Sequence, residues 1–112
     1  MSKGTSTKAC EFSKEDRAEI RERDGGCIFC QIGYKMPKFT LPATDMMHIV
    51  GRAHGGLGIA KNGVLGCRYH HMMLDNGNGG ERAAMMGYIE NYMTRLYPGW
   101  NKDELIFRKD WD

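Results

Sequence analysis

Asp24-Gly25-Gly26-Cys27-Ile28-Phe29-Cys30, answered further along by Gly66-Cys67-Arg68-Tyr69-His70, decides how this chain folds. The first stretch holds a C-x-x-C pair and the second a C-x-x-H pair. Two such pairs supply the four nitrogen and sulfur donors that zinc takes in a tetrahedron. The flanking glycines permit the tight backbone that each knuckle needs. A C-x-x-C alone would equally suit a redox motif, but pairing with C-x-x-H favours a structural metal. Buried free cysteines with a surface histidine are the plain alternative, and His71 is the alternative fourth ligand in place of His70. Four protein ligands close such a site, so the zinc keeps no open position for water, which argues against a zinc hydrolase.

Bulk properties agree with a metal-stapled domain. At 112 residues the chain has room for one domain with a modest core. The first residues, MSKGTSTKAC, lack the apolar stretch of a secretory signal, and no apolar run approaches the roughly 20 residues of a membrane span. A cytoplasmic setting is therefore expected, and a disulfide framework for the four cysteines is the weaker reading. Net charge is only +2. From Gln31 to His71, however, Lys35, Lys38, Arg52, Lys61 and Arg68 face only Asp45. Basic charge on the stretch that also carries the histidines favours an anionic substrate.

Working outward, residues 1–11 read as a flexible tail with Cys10 as a spare thiol. Ser13 followed by Lys-Glu-Asp is a helix cap with an acidic first turn, and Asp24-Gly25-Gly26 ends that helix. Residues 31–43, with Pro37 and Pro42, read as an irregular loop. Thr44 to Val50 alternates as a strand, with Met46 and His48 on one face and Asp45 and Met47 on the other. Asn62-Gly63 is a turn before the short apolar segment Val64-Leu65. A short helix is expected over His70 to Leu74, ended by Asp75-Asn76-Gly77. A longer one is expected over Glu81 to Tyr97, with Met85, Ile89, Met93 and Leu96 as its core stripe. Glu104 to Lys109 reads as a last short strand. The tyrosines at 88, 92 and 97 and the tryptophans are too dispersed to suggest base stacking. The fold class is α+β.

Taken together, Arg-Asp-Gly-Gly-Cys27-x-x-Cys30, His48-Ile49-Val50-Gly51-Arg52 with Gly55-Gly56, Asn62 five residues before Cys67, and His70-His71 resemble the HNH endonucleases of the zinc-containing ββα-metal type. Small members of that family occur in phages and prophages. The match covers about residues 24–75 of a single domain spanning 12–112. The resemblance implies a small ββα-metal, treble-clef-like domain with flanking helices and a structural zinc on Cys27, Cys30, Cys67 and His70. It further implies a DNA nuclease, nicking one strand of a duplex, that leaves 5′-phosphate and 3′-hydroxyl ends. His48 would be the general base and Asn62 the brace of the hairpin loop. His71 would ligate a catalytic Mg²⁺ or Mn²⁺, and Arg52 would hold a phosphate. Oligomeric state is not legible.

One position departs from that pattern. The residue before the base is Met47, where the family usually has Asp or His as a second ligand, and a thioether is a poor partner for a hard cation. Asp45 is the candidate substitute; otherwise His71 holds the ion with waters and the substrate phosphate. The competing functions are a non-catalytic zinc module that binds nucleic acid or protein, and a zinc enzyme of another kind.

Overall fold

The computed structural model describes residues 8–36, 38, 43–77 and 80–107. Helix α1 spans Lys14–Asp24, a single turn α2 spans Ile28–Gln31, and strand β1 spans Thr44–His48. Strand β2 (Gly63–Cys67), helix α3 (Arg68–Asn76) and helix α4 (Glu81–Leu96) follow. Three 3₁₀ turns occupy Arg52–His54, Ala60–Asn62 and Lys102–Leu105.

The α1 boundaries follow from its caps. The Ser13 hydroxyl accepts from the Asp16 N–H at 3.0 Å, and Gly25, at φ 69°, closes the helix with its N–H on the Arg21 carbonyl. Gly25 to Cys30 then form the first knuckle, in which Cys27 caps α2 through its sulfur.

The two strands pair antiparallel, from Thr44 opposite Cys67 to His48 opposite Gly63. The strand expected to run to Val50 stops at His48. Beyond it, Asn62 substitutes its own groups for ladder partners: its carbonyl accepts from Ile49 N and its Oδ1 from Val50 N. β2 is buried at all five positions, and α3 begins directly after it at Arg68, two residues earlier than expected.

The main core joins Phe29, Met47, Ile49, Val64 and Leu74 to Met85, Ile89 and Met93 of α4. Leu96, expected to continue that stripe, is exposed at the end of the helix. A smaller core holds Phe12, Ile20, Ala60 and Leu65. Between them sits the buried carboxylate of Asp24, which accepts from Arg23, from Leu65 N and from the Tyr92 hydroxyl. Arg23 in turn donates to the carbonyls of Ala60 and Gly63. This buried ion pair is fully hydrogen-bonded, which offsets its desolvation and ties α1 to β2 and α4.

Two expectations need correction. The segment read as a flexible tail through residue 11 is part of the body from residue 8: Cys10 is buried, and Ala9 O accepts from Gly58 N at 2.9 Å. A Cβ at Gly58 would meet the carbonyl carbon of Glu11 at 2.2 Å, so the glycine is what lets the two chains lie flush. The final strand expected over 104–109 is replaced by the 3₁₀ turn and a single bridge between Gly56 and Ile106; residues 108 and 109 lie outside the described residues. Much of the expected 31–43 loop, with both its prolines, also lies outside them. Among the described residues, no helix is long and apolar enough to cross a membrane.

Candidate metal centre and adjoining cleft

Cys27 and Cys30 flank the start of α2, while Cys67 ends β2 and His70 lies in the first turn of α3. Pairing of β2 with β1 and packing of α2 on β2 bring the two knuckles together. Their four ligand atoms all lie within 4.8 Å of one another, so the group is able to hold a metal ion. His70 Nδ1 is 3.4, 3.5 and 3.3 Å from the sulfurs of Cys27, Cys30 and Cys67, and the Cys30 and Cys67 sulfurs are 3.7 Å apart. A tetrahedral zinc with bonds of about 2.3 Å to sulfur and 2.0 Å to nitrogen has edges of roughly 3.8 and 3.5 Å. The donor set and its spacing therefore fit that ion.

The surroundings orient these ligands. His70 is fully buried, and its Nε2–H donates to the Tyr34 carbonyl at 2.6 Å, which leaves Nδ1 as the donor atom. Backbone N–H groups of Cys30 and His70 point at the sulfurs of Cys27 and Cys67. Burial, together with the neighbouring thiols, pushes the Cys30 thiol up to about 12. Three crowded thiols resist ionising unless a cation shares their space. His71 does not join this group, so the alternative with His71 as fourth ligand is set aside; adjacent helix positions point about 100° apart.

A second feature lies beside it. A cleft of about 590 Å³ runs along the unpaired edge of β1 and is lined by Asp45, His48, Arg52 and His71 together with Glu11, Phe12 and Arg17. His48 Nε2 lies 2.7 Å from the Cys10 carbonyl, and its ring packs on Phe12 at 4.3 Å between centroids. A carbonyl only accepts, so Nε2 carries the proton and Nδ1 is left as the basic nitrogen. Burial holds the imidazole below its ordinary value of 6.5, against the pull of the Cys10 carbonyl, and the charge of Arg52 adds to the lowering.

Asp45 and His71 meet at 2.8 Å between Oδ2 and Nδ1. Arg68 adds a forked contact to the same carboxylate at 2.9 and 3.3 Å, and the His71 and Arg68 bonds together hold Asp45 below the usual carboxylate range. His71 Nε2 faces Asp75, one turn on within α3, at 3.4 Å. Met47 is 2 % exposed and packs its thioether over Gly66, where a Cβ would meet Met47 Cε at 2.6 Å. It is a core residue.

Asn62 does not line the cleft. It is fully buried, its Nδ2 donating to the carbonyls of Val50 (3.1 Å) and Leu57 (2.8 Å), so it braces the loop that follows His48. His54 is exposed in the 3₁₀ turn and does not line the cleft either. Sequence reasoning missed the Cys10 carbonyl, Phe12 and Arg17. The only available signal was Phe12, an apolar residue directly before the Ser13 cap. Comparison with protein-family models, with curated proteins and with solved structures returns no match.

Proposed function

We propose that this protein is a metal-dependent nuclease of the HNH, ββα-metal type that cuts a DNA backbone, with zinc on Cys27, Cys30, Cys67 and His70 as a staple. The observation that carries the reading is the cleft. It gathers a histidine whose Nε2 proton is committed to a carbonyl, a paired histidine and carboxylate, and an unpaired arginine. That is the set needed to activate water, hold a divalent cation and bind a phosphate.

In this reading His48 Nδ1 accepts a proton from water as its oxygen attacks phosphorus. The bond from phosphorus to the 3′ oxygen breaks, and that oxygen takes a proton from solvent. Arg52 holds a non-bridging phosphate oxygen. Asp45 and His71 would hold a catalytic Mg²⁺ or Mn²⁺. Their 2.8 Å oxygen-to-nitrogen separation is close to the roughly 3.0 Å between neighbouring donors of an octahedron with bonds of about 2.1 Å. When bound, such an ion polarises the phosphate and offsets charge on the departing oxygen. One cleft per chain implies nicking of a duplex.

Asp45 is already satisfied by Arg68 and His71, and that pairing favours a second reading, a zinc module that binds nucleic acid without cutting it. Incubation of supercoiled plasmid with the zinc-loaded protein and Mg²⁺ or Mn²⁺ separates the two. Relaxed product that disappears in His48→Ala supports the nuclease; no relaxed product, or equal activity in His48→Ala, defeats it.

A further inference from the structure

Helix α1 is sorted by charge around its axis. At about 100° per residue, Lys14, Arg17 and Arg21 fall on one stripe, while Glu15, Glu19 and Glu22 fall on another, with the buried Ile20 and Asp24 side lying between them. Arg17 is the basic member nearest the buried side, and it lines the cleft that holds His48. None of its helical neighbours three or four positions away (Ser13, Lys14, Ile20 and Arg21) is acidic, so no intrahelical ion pair is open to it. Lys14, Arg17 and Arg21 are exposed, and no carboxylate lies within ion-pair distance of any of them. Other charged groups of the same helix are engaged: Asp16 bonds Ala60 N, Glu19 takes the Tyr97 hydroxyl, and Arg23 pairs with Asp24.

We propose that this stripe is the second wall of a nucleic-acid channel: Arg17 takes a phosphate beside the scissile one, and Arg21 and Lys14 track the same backbone away from the cleft. The inference rests on the nuclease reading for the identity of the polyanion, but its own support is the placement of the uncompensated charge. From Lys14 to Arg21 the helix rises about 10.5 Å, close to the rise of three nucleotides of one strand at about 3.4 Å each. A solvated helix with no partner would lack reason to hold three like charges together beside a cleft while its acidic residues occupy the other flank.

Binding of the zinc-loaded full-length chain to a short DNA duplex, and to one of its single strands, is measured by fluorescence anisotropy across a salt series. The buffer holds no divalent ion and no chelator, so nothing is cut and the zinc stays. Each phosphate contact contributes about 0.9 to the slope of log affinity against log salt on a duplex and about 0.7 on a single strand. Arg17→Gln is expected to lower the slope by about one such step and the Arg17→Gln, Arg21→Gln pair by about two. Glu15→Gln with Glu22→Gln, on the opposite flank, is expected to leave the slope unchanged. A larger loss on the duplex than on the single strand assigns the channel to duplex DNA; the reverse assigns it to a single strand. Salt-dependent binding by the parent with an unchanged slope in both arginine variants overturns the channel while leaving the nuclease reading intact. A slope lowered as expected in a protein that never relaxes plasmid defeats the nuclease and upholds the channel. No salt-dependent binding by the parent overturns the channel outright.

Discussion

The imidazole of His48 is fixed at 2.7 Å on the carbonyl of Cys10, a residue 38 positions earlier in the chain. This bond chooses the tautomer, since Nε2 must carry the proton, and it makes the segment before α1 part of the candidate site.

Burial and Arg52 both favour the neutral imidazole of His48, so the acidic limb of a pH–cleavage profile is expected below 6.5. Replacing Arg52 with Gln removes one cause of the lowering and is expected to move the limb upward. The same shift has a stability sign. Between the folded value and 6.5 the unfolded chain binds more protons at this site, so stability falls as pH drops through that window. A limb at or above 6.5 in the parent protein would sink the assignment.

Gly58 lies flush against the N-terminal segment, and a methyl group there would meet Glu11 C at 2.2 Å and Phe12 N at 2.6 Å. Gly58→Ala is expected to cost about 1–3 kcal/mol of stability by displacing the segment from His48. Displacement on the scale of 1 Å is expected to lower turnover on the order of a hundredfold. The zinc content should be unchanged, because neither knuckle touches this contact. Turnover and metal content measured together check the outcome.

Met47 and Asp45 are expected to respond in opposite ways. Met47→Asp places a carboxylate among Ile49 and Val64 and should lower the urea midpoint sharply without raising activity. Asp45→Asn loses a partly exposed ion pair worth about 1 kcal/mol or less, yet should abolish metal-stimulated cleavage. A gain of activity in Met47→Asp with retained stability would show that the cation sits elsewhere.

Removal of zinc is expected to unfold the domain. Metal binding in comparable peptide sites is worth about 10–16 kcal/mol, against about 5–15 kcal/mol for the entire stability of a small domain. One zinc per chain by elemental analysis, and loss of helical circular dichroism on chelation, would bear this out. His70→Ala and Cys67→Ser should behave like the chelated protein; full retention of the helical signal after chelation would reduce the knuckles to ordinary core.

Short-range chemistry was readable directly from the residues. The Ser13 cap, the Gly25 stop, the β1 start at Thr44 and the α4 core positions Met85, Ile89 and Met93 all express local rules of capping and periodicity. The Cys27, Cys30, Cys67 and His70 grouping was readable too, because donor spacing within each knuckle is set by a few bonds of backbone. The basic stripe of α1 was not seen, since its segment sums to a slight negative charge and only rotation about the helix axis separates the signs.

What the sequence determined alone is thus the set of helices and the two metal knuckles. Only the tertiary structure decided that Met47 is core over Gly66, that Asp45 meets His71, and that Cys10 reaches His48. Each of these joins residues from 19 to 38 positions apart. No local propensity encodes such contacts; they follow from how α1, the hairpin and α3 close around one another.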